Sequence, residues 1–330
     1  MKVLVTGATG FIGRKLVAAL VNENHDVTAL VRPTSNKADL PEGIRFCEGD
    51  MLDEASLRTA VEGQDVVVHL AAYFDFYPSD VDLLYRVNIE GPINLIKACV
   101  STTVSRFIYC STTEVIGPVR YPPGNEDTEL RPQFDYAKSK VEAECAIRDM
   151  CKEAGLDYII IRPTGIMGEG DLYITYEVAF ELYNGKVFAL PRNLSAQFMF
   201  AHIDDVVSGF MAALKPMKAV NNTIILAPDE AMSWEMFVQV MTTRLGVKPP
   251  PLRVPKILAK FGMGILSPFK NRKKMTFFWH MKSVDILHQE RVYSNEKAKR
   301  LLDWSPQVTM EEGFQRAVDW YFEEGYLKKE

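Results

Sequence analysis

The chain has 330 residues, 47% apolar and 25% charged, a balance that excludes a disordered or fibrous protein and allows a substantial buried core. Its formal net charge of -5 provides no general attraction for nucleic acid, whose phosphates require clustered Lys and Arg, so no nucleic-acid partner is expected. Cys47, Cys99, Cys110, Cys145 and Cys151 form no C-x-x-C pair and read as reduced thiols, and the histidines are isolated, so no metal site is expected.

A strand pattern opens the chain at Lys2 to Thr6 without a charged and apolar leader ahead of it, and a cytoplasmic location is expected on that ground. The strand runs into Thr6-Gly7-Ala8-Thr9-Gly10-Phe11-Ile12-Gly13, followed by a helical pattern from Phe11 to Val21 with Leu16, Val17, Leu20 and Val21 on one face. Glycines are needed at such a turn because a close pyrophosphate leaves no room for Cβ. The helix N-terminus adds unpaired N–H groups and a favourable dipole. Gly7, Thr9, Gly10, Phe11, Ile12 and Gly13 are therefore expected to cradle a dinucleotide.

Further strands are predicted at Asp26 to Val31, Ile44 to Gly49, Asp65 to Leu70, Arg106 to Ser111 and Tyr158 to Arg162, each with Val, Ile or Leu on both faces. Strands covered on both sides read this way. Their alternation with amphipathic helices such as Tyr136 to Ala154 predicts an α/β fold, a doubly wound parallel Rossmann sheet. The C-terminal half, including Pro249-Pro250-Pro251 and a final helix near Glu311 to Glu323, is expected to form a smaller, mostly C-terminal substrate lobe.

The fifth strand ends in Ile108-Tyr109-Cys110-Ser111-Thr112-Thr113, placing three hydroxyls where the carboxyl ends of sheet strands meet a ligand. Next comes Tyr136-Ala137-Lys138-Ser139-Lys140, whose Tyr and Lys share one helical face at i and i+4. Lys140 is expected to lower the Tyr136 phenol from its reference pKa of about 10, so that it exchanges a proton near neutral pH.

The G-x-x-G-x-x-G spacing resembles that of the extended short-chain dehydrogenase/reductase (NAD-dependent epimerase/dehydratase) family, and the resemblance covers the whole chain. Gly49-Asp50-Met51 looks like the family's adenine contact, Leu70-Ala71-Ala72 like the strand end that passes the cofactor, and Asn88-Ile89-Glu90-Gly91 like its N-x-x-G helix opening. Arg162-Pro163-Thr164-Gly165-Ile166-Met167-Gly168 looks like the segment under the nicotinamide. The resemblance implies catalytic roles for Thr112, Tyr136 and Lys140, with Ser111 and Thr113 as rivals to Thr112. It implies cofactor contacts from Asp50, Met51, Leu70, Ala71, Ala72, Pro163, Thr164 and Gly165, and from Tyr136 and Lys140 themselves. His202, Asp204 and Asp205 match a family segment and read as mainly structural. The implied organisation is a dinucleotide-binding domain at 1–165, to which about 198–226 and 286–302 return, and a mainly substrate-binding lobe at 166–330. A homodimer paired through Ile89 to Val100 and Tyr136 to Ala154 is implied by analogy.

NAD-preferring relatives place an acid after the second strand, whereas here Arg32 follows Val31 and no acid appears before Asp39. A guanidinium suits a 2′-phosphate, which favours NADP(H); it can also stack on adenine, which keeps NAD(H) possible.

Val27 to Asn36, Ala71 to Tyr77 and Val292 to Lys299 look like the dihydroflavonol reductase and 3β-hydroxysteroid dehydrogenase branch, implying alcohol–ketone interconversion on a hydrophobic small molecule. A nucleotide-sugar epimerase or dehydratase is the alternative, and a non-catalytic dinucleotide sensor the second. Sugar dehydratases carry an acid pair after the catalytic threonine, but Thr113 and Glu114 stand here with one acid between them. Sugar enzymes also tend to place an Arg four residues before the His of the H-V-D-D segment to hold a diphosphate, and Phe198 occupies that position; Arg192 and Arg253 could substitute. Tyr73, Glu114 and Phe198 are the expected substrate contacts, and the Tyr73 to Tyr77 aromatic run either walls the cleft or packs on the cap.

From Met236 to Val284 there are ten Lys or Arg and no acid, leaving 28 basic residues against all 43 acidic ones elsewhere. The apolar runs within it are shorter than the about 20 residues of a spanning helix. A lid, a peripheral contact with an anionic membrane through 252–279, or an ordinary cap helix are the open readings.

Overall fold

In the computed structural model, residues 1–100, 102–215, 218–266 and 280–328 are described. One parallel sheet organises them: β1 (Lys2–Thr6), β2 (Asp26–Val31), β3 (Arg45–Glu48), β4 (Val66–His69), β5 (Arg106–Cys110), β6 (Asp157–Pro163) and β7 (Asn222–Leu226), in the order β7-β6-β5-β4-β1-β2-β3. The main helices are α1 (Phe11–Asn22), α2 (Glu54–Val61), α3 (Gly91–Cys99), α4 (Asp135–Ala154), α5 (Ile174–Tyr183), α6 (Ile203–Leu214), α7 (Trp234–Leu245), α8 (Lys256–Leu266) and α9 (Met310–Glu323).

Alternation along β1 shows why the sheet is doubly wound. Val3 and Val5 pack with Leu16, Leu20, Val206 and Phe210 of α1 and α6 on one face. Leu4 packs with Leu57, Leu95 and Ile147 of α2, α3 and α4 on the other. The fold is thus the Rossmann sheet expected. Its outermost strand, β7, pairs with β6 from Asn222↔Ile159 to Leu226↔Pro163. The sequence pattern predicts no strand there because only Ile224, Ile225 and Leu226 form an apolar run, after polar Asn221, Asn222 and Thr223.

A third core lies beyond the sheet's carboxyl edge, where α5, α7 and α9 bring together Val178, Leu182, Phe237, Phe314 and Val318 with Phe198 and Trp234. This is the smaller lobe. The Glu169, His202 and Asp204 group joins it to α1 and α6, and cations already bridge that group: Lys15 lies 2.9 Å from Asp204, and Arg316 lies 2.8 Å from Glu169.

Of the 252–279 segment, the described part includes α8, whose Ile257, Leu258, Phe261 and Ile265 are exposed, while Lys256 and Lys260 pair with Asp285 at 2.9 and 2.6 Å. Residues 267–279 lie outside the described residues. No described helix is long and apolar enough to cross a membrane.

Candidate active site

Every residue expected above to be catalytic or cofactor-binding, together with the expected substrate contacts Tyr73, Glu114 and Phe198, lines one cavity of about 930 Å³ at the carboxyl edge of the sheet. Its floor is set where β1 stops. Gly7 takes φ +70°, and a Cβ there would lie 2.7 Å from the Ala71 nitrogen. A Cβ on Gly13 would lie 2.1 Å from the Gly7 carbonyl oxygen, so α1 presses directly on the turn. Gly10 caps α1 without a side-chain hydrogen bond, leaving the first-turn N–H groups open to an anion. A turn that leaves no room for side chains, beside an uncapped helix start, fits a dinucleotide's diphosphate.

The strand ends are pinned together around this turn. Thr6 Oγ1 lies 2.6 Å from His69 Nδ1 and accepts from the Ala71 N–H at 3.2 Å. Burial, with Lys140 nearby, lowers the His69 pKa to about 3, so the ring is neutral. After β4, the backbone of Tyr73 is held by Asn88, whose Oδ1 accepts from Tyr73 N at 2.8 Å and whose Nδ2 donates to Tyr73 O at 3.1 Å and Ser139 Oγ at 3.0 Å. A π-helical turn at Arg86–Glu90 swings Asn88 inward. The sequence marks Asn88 as a helix opening, but its tie between the Tyr73 loop and α4 depends on that turn.

At the opposite end lie Arg32, Asp50 and Met51. Asp50 Oδ1 accepts from Leu52 N at 2.9 Å, and Asp39, the next acid after β2, is taken by Arg14 at 2.7 Å.

Tyr136 and Lys140 leave the first two turns of α4 on its buried face. The Lys140 ammonium donates to the Cys110 carbonyl at 2.7 Å and lies 4.3 Å from the Tyr109 ring centre and 5.9 Å from that of Tyr136. Burial lowers its pKa to about 8, with Cys110 and Glu144 acting in the opposite direction. The Tyr136 ring packs edge-on against Phe74 at 4.9 Å. Its phenol corrects the expectation of an acidified tyrosine: burial foremost, then Cys110 and Glu114, push the pKa above its ordinary value. The ammonium is aimed at the end of β5 and the Tyr109 face, and desolvation of the phenol outweighs its influence.

Among the three hydroxyls after β5, two are committed. Ser111 Oγ donates to Glu144 Oε1 at 2.5 Å, and Thr113 is buried in hydrogen bond with Tyr293. Thr112 Oγ1 accepts from Glu114 N at 3.1 Å, capping the short 3-10 turn Thr113–Val115, and it lines the cavity with no acceptor for its own hydrogen among the described residues. Below them, Glu144 is fully buried and accepts from Arg162 Nε at 2.8 Å and Nη2 at 2.6 Å. Burial would raise this carboxyl, but hydrogen bonds from Arg162 and Ser111 and the charges of Arg162 and Arg148 hold it below its ordinary value.

The remaining wall is aromatic: Phe74, Phe76, Phe134, Tyr173, Phe198, Phe200 and Trp234. Phe198 is 1% exposed and stacks on Trp234 at 4.0 Å, so it forms a rigid part of that wall. Arg192 and Arg253 are not among the residues lining the cavity, and Arg253 is engaged by Glu235 at 2.5 Å. The cavity's cation at this end is Arg291, 6% exposed and 2.6 Å from Glu114. Sequence reasoning passed it over, although it stands one residue before the Val292 to Lys299 stretch.

A dinucleotide cradle on a Rossmann sheet, with a Tyr–Lys pair facing the same cavity, defines an enzyme of the extended short-chain dehydrogenase/reductase type. The chain belongs to the NAD dependent epimerase/dehydratase family, which it matches over residues 3–227. It is similar to the 3-beta-hydroxysteroid dehydrogenase of Mycolicibacterium neoaurum, 28% identical over 97% of this chain and 91% of that protein. It is also similar to the UDP-glucose 4-epimerase of Vibrio cholerae, 29% identical over 96% of this chain and 94% of that protein. The crystal structure of gox2253 matches with a TM-score of 0.83 at 25% identity, covering 99% of both chains.

Proposed function

We propose that this enzyme interconverts a secondary alcohol and a ketone on a hydrophobic small molecule, using Thr112, Tyr136 and Lys140. The observation that carries the reading is the substrate end of the cavity, walled by aromatic rings and holding a cation, Arg291, that is already paired with Glu114. A similar chain named for a hydroxysteroid points the same way.

When bound, the nicotinamide dinucleotide supplies or accepts the hydride. Gly7, Gly10, Gly13 and the start of α1 would hold its diphosphate, and Pro163, Thr164 and Gly165 would lie along its other end. Thr112 donates a hydrogen bond to the reacting oxygen, for which it is the uncommitted hydroxyl of the three. Tyr136 supplies the proton. A phenol kept protonated by burial is a proton donor, which suits reduction of the ketone. Lys140 holds positive charge behind it and stabilises the developing oxyanion through the phenol. Arg32, with no acid before the engaged Asp39, favours NADP(H) over NAD(H).

Purified protein incubated with NADPH or NADH and a panel of hydrophobic cyclic ketones is expected to consume reduced cofactor, faster with NADPH, as followed by absorbance. Net consumption by no ketone, together with epimerisation of a UDP-hexose, would overturn the reading in favour of the nucleotide-sugar alternative.

Lys140 sets a pH dependence. Its ammonium is present below about 8 and lost as pH rises through that value. Ketone reduction, measured as kcat/KM, is expected to fall across that window, and the break should vanish from the residual activity of Lys140→Met.

A further inference from the structure

Arg291 reaches the cavity by an unusual route. It is bridged to Phe198 in parallel register, and its N–H donates to the Gln197 carbonyl at 2.8 Å, so the guanidinium arises beside the position where the resemblance would place a diphosphate-binding Arg. A nearly buried guanidinium facing a cavity is a strong anchor for a phosphate, because its planar fork matches two oxygens at once.

Both Nη atoms of that fork are already used, while Nε has no hydrogen-bond partner among the described residues. Arg291 Nη1 donates to Glu114 Oε1 at 2.6 Å, and Nη2 donates to Gln133 Oε1 at 2.7 Å and Gln289 Oε1 at 3.2 Å. Glu114 is itself part of the cavity lining, its side chain 23% exposed, so it brings a negative charge into the cavity beside Arg291. An arriving diphosphate would meet a like charge and, on displacing Glu114, would leave a carboxylate unpaired in a poorly hydrated site. The backbone of Glu114 is fixed in the short turn capped by Thr112, so its carboxylate can leave Arg291 only by side-chain rotation.

We propose that Glu114 masks Arg291, so that the substrate end of the cavity admits uncharged molecules and rejects nucleotide diphosphates. This deepens the hydrophobic-substrate reading above and rests on it for the identity of the admitted class. The masking itself is a statement about binding, and binding tests it without turnover.

The probes are UDP and uridine, titrated by calorimetry into the protein saturated with oxidised cofactor. On the unmodified protein, UDP is expected to bind no more tightly than uridine, because the diphosphate gains nothing from a neutralised arginine. Glu114→Gln preserves an acceptor for Arg291 Nη1 and removes the charge; it is expected to bind UDP at least about tenfold more tightly than the unmodified protein, with uridine unchanged. Adding Arg291→Gln should abolish that gain. UDP favoured over uridine by tenfold in the unmodified protein would overturn the mask, as would a folded Glu114→Gln variant, checked by its Tm, that gains nothing. Ketone reduction together with a failed gain would remove the mask alone, whereas a UDP gain in a protein that reduces no ketone would remove the substrate reading alone.

Discussion

Tyr136→Phe is expected to lower turnover by about 10²–10⁴-fold, the usual range for loss of a positioned proton donor, while leaving cofactor affinity nearly unchanged. The substitution removes one oxygen and keeps the ring, which packs edge-on against Phe74 at 4.9 Å and Phe76 at 6.3 Å. The wall of the cavity should therefore survive. Steady-state kinetics and a fluorescence titration of reduced cofactor separate the two effects. Equal losses in both would mean that the phenol shapes the dinucleotide site and does not serve the reaction.

Glu144→Ala should have the largest effect on stability. It would strand the guanidinium of Arg162, 2% exposed, and release the Ser111 hydroxyl in the same step. Removing one partner of a buried ion pair costs about 3–5 kcal/mol, which in a chain of this size lowers Tm by roughly 5–10 °C. The pH sign follows from the depressed carboxyl. Its contribution is present above the ordinary Glu value of about 4.3 and is lost as pH falls through the lower folded value. The gap in Tm between the native protein and the variant should therefore narrow in acid, and a gap that is small and constant with pH would contradict the assignment.

What could be read before the structure follows the range of the interactions involved. The six strands from β1 to β6 were legible within a residue or two: five are largely buried, so an apolar run marks them directly, while β3, an exposed edge strand, is marked by its place between a turn and Gly49. The glycine turn was legible because its chemistry is local: Gly7 meets Ala71 and Gly13 meets Gly7, and no other residue fits either place. The Tyr136 and Lys140 pair needed only helical spacing. By contrast, β7 was hidden because an edge strand with three apolar residues resembles a loop. The Arg291–Glu114 pair joins positions 177 apart in the chain, and no local pattern announces it. The direction of the Tyr136 shift was misjudged for a related reason. Spacing places an ammonium near the phenol, but only the fold shows that the ammonium is turned toward the Cys110 carbonyl and how completely the phenol is desolvated.

The pairing of β6 with β7 bears on how the chain can be cut and made. During synthesis β6 emerges well before residues 222–226 leave the ribosome, and until then its outer backbone groups have no neighbour to bond. A fragment ending at Gly165 would keep that raw margin permanently, together with the apolar surface that α6 normally covers. Such a piece invites edge-to-edge aggregation. The nucleotide-holding half should therefore be expressed with the later segment attached, as one cooperative body whose first strands wait for a late one.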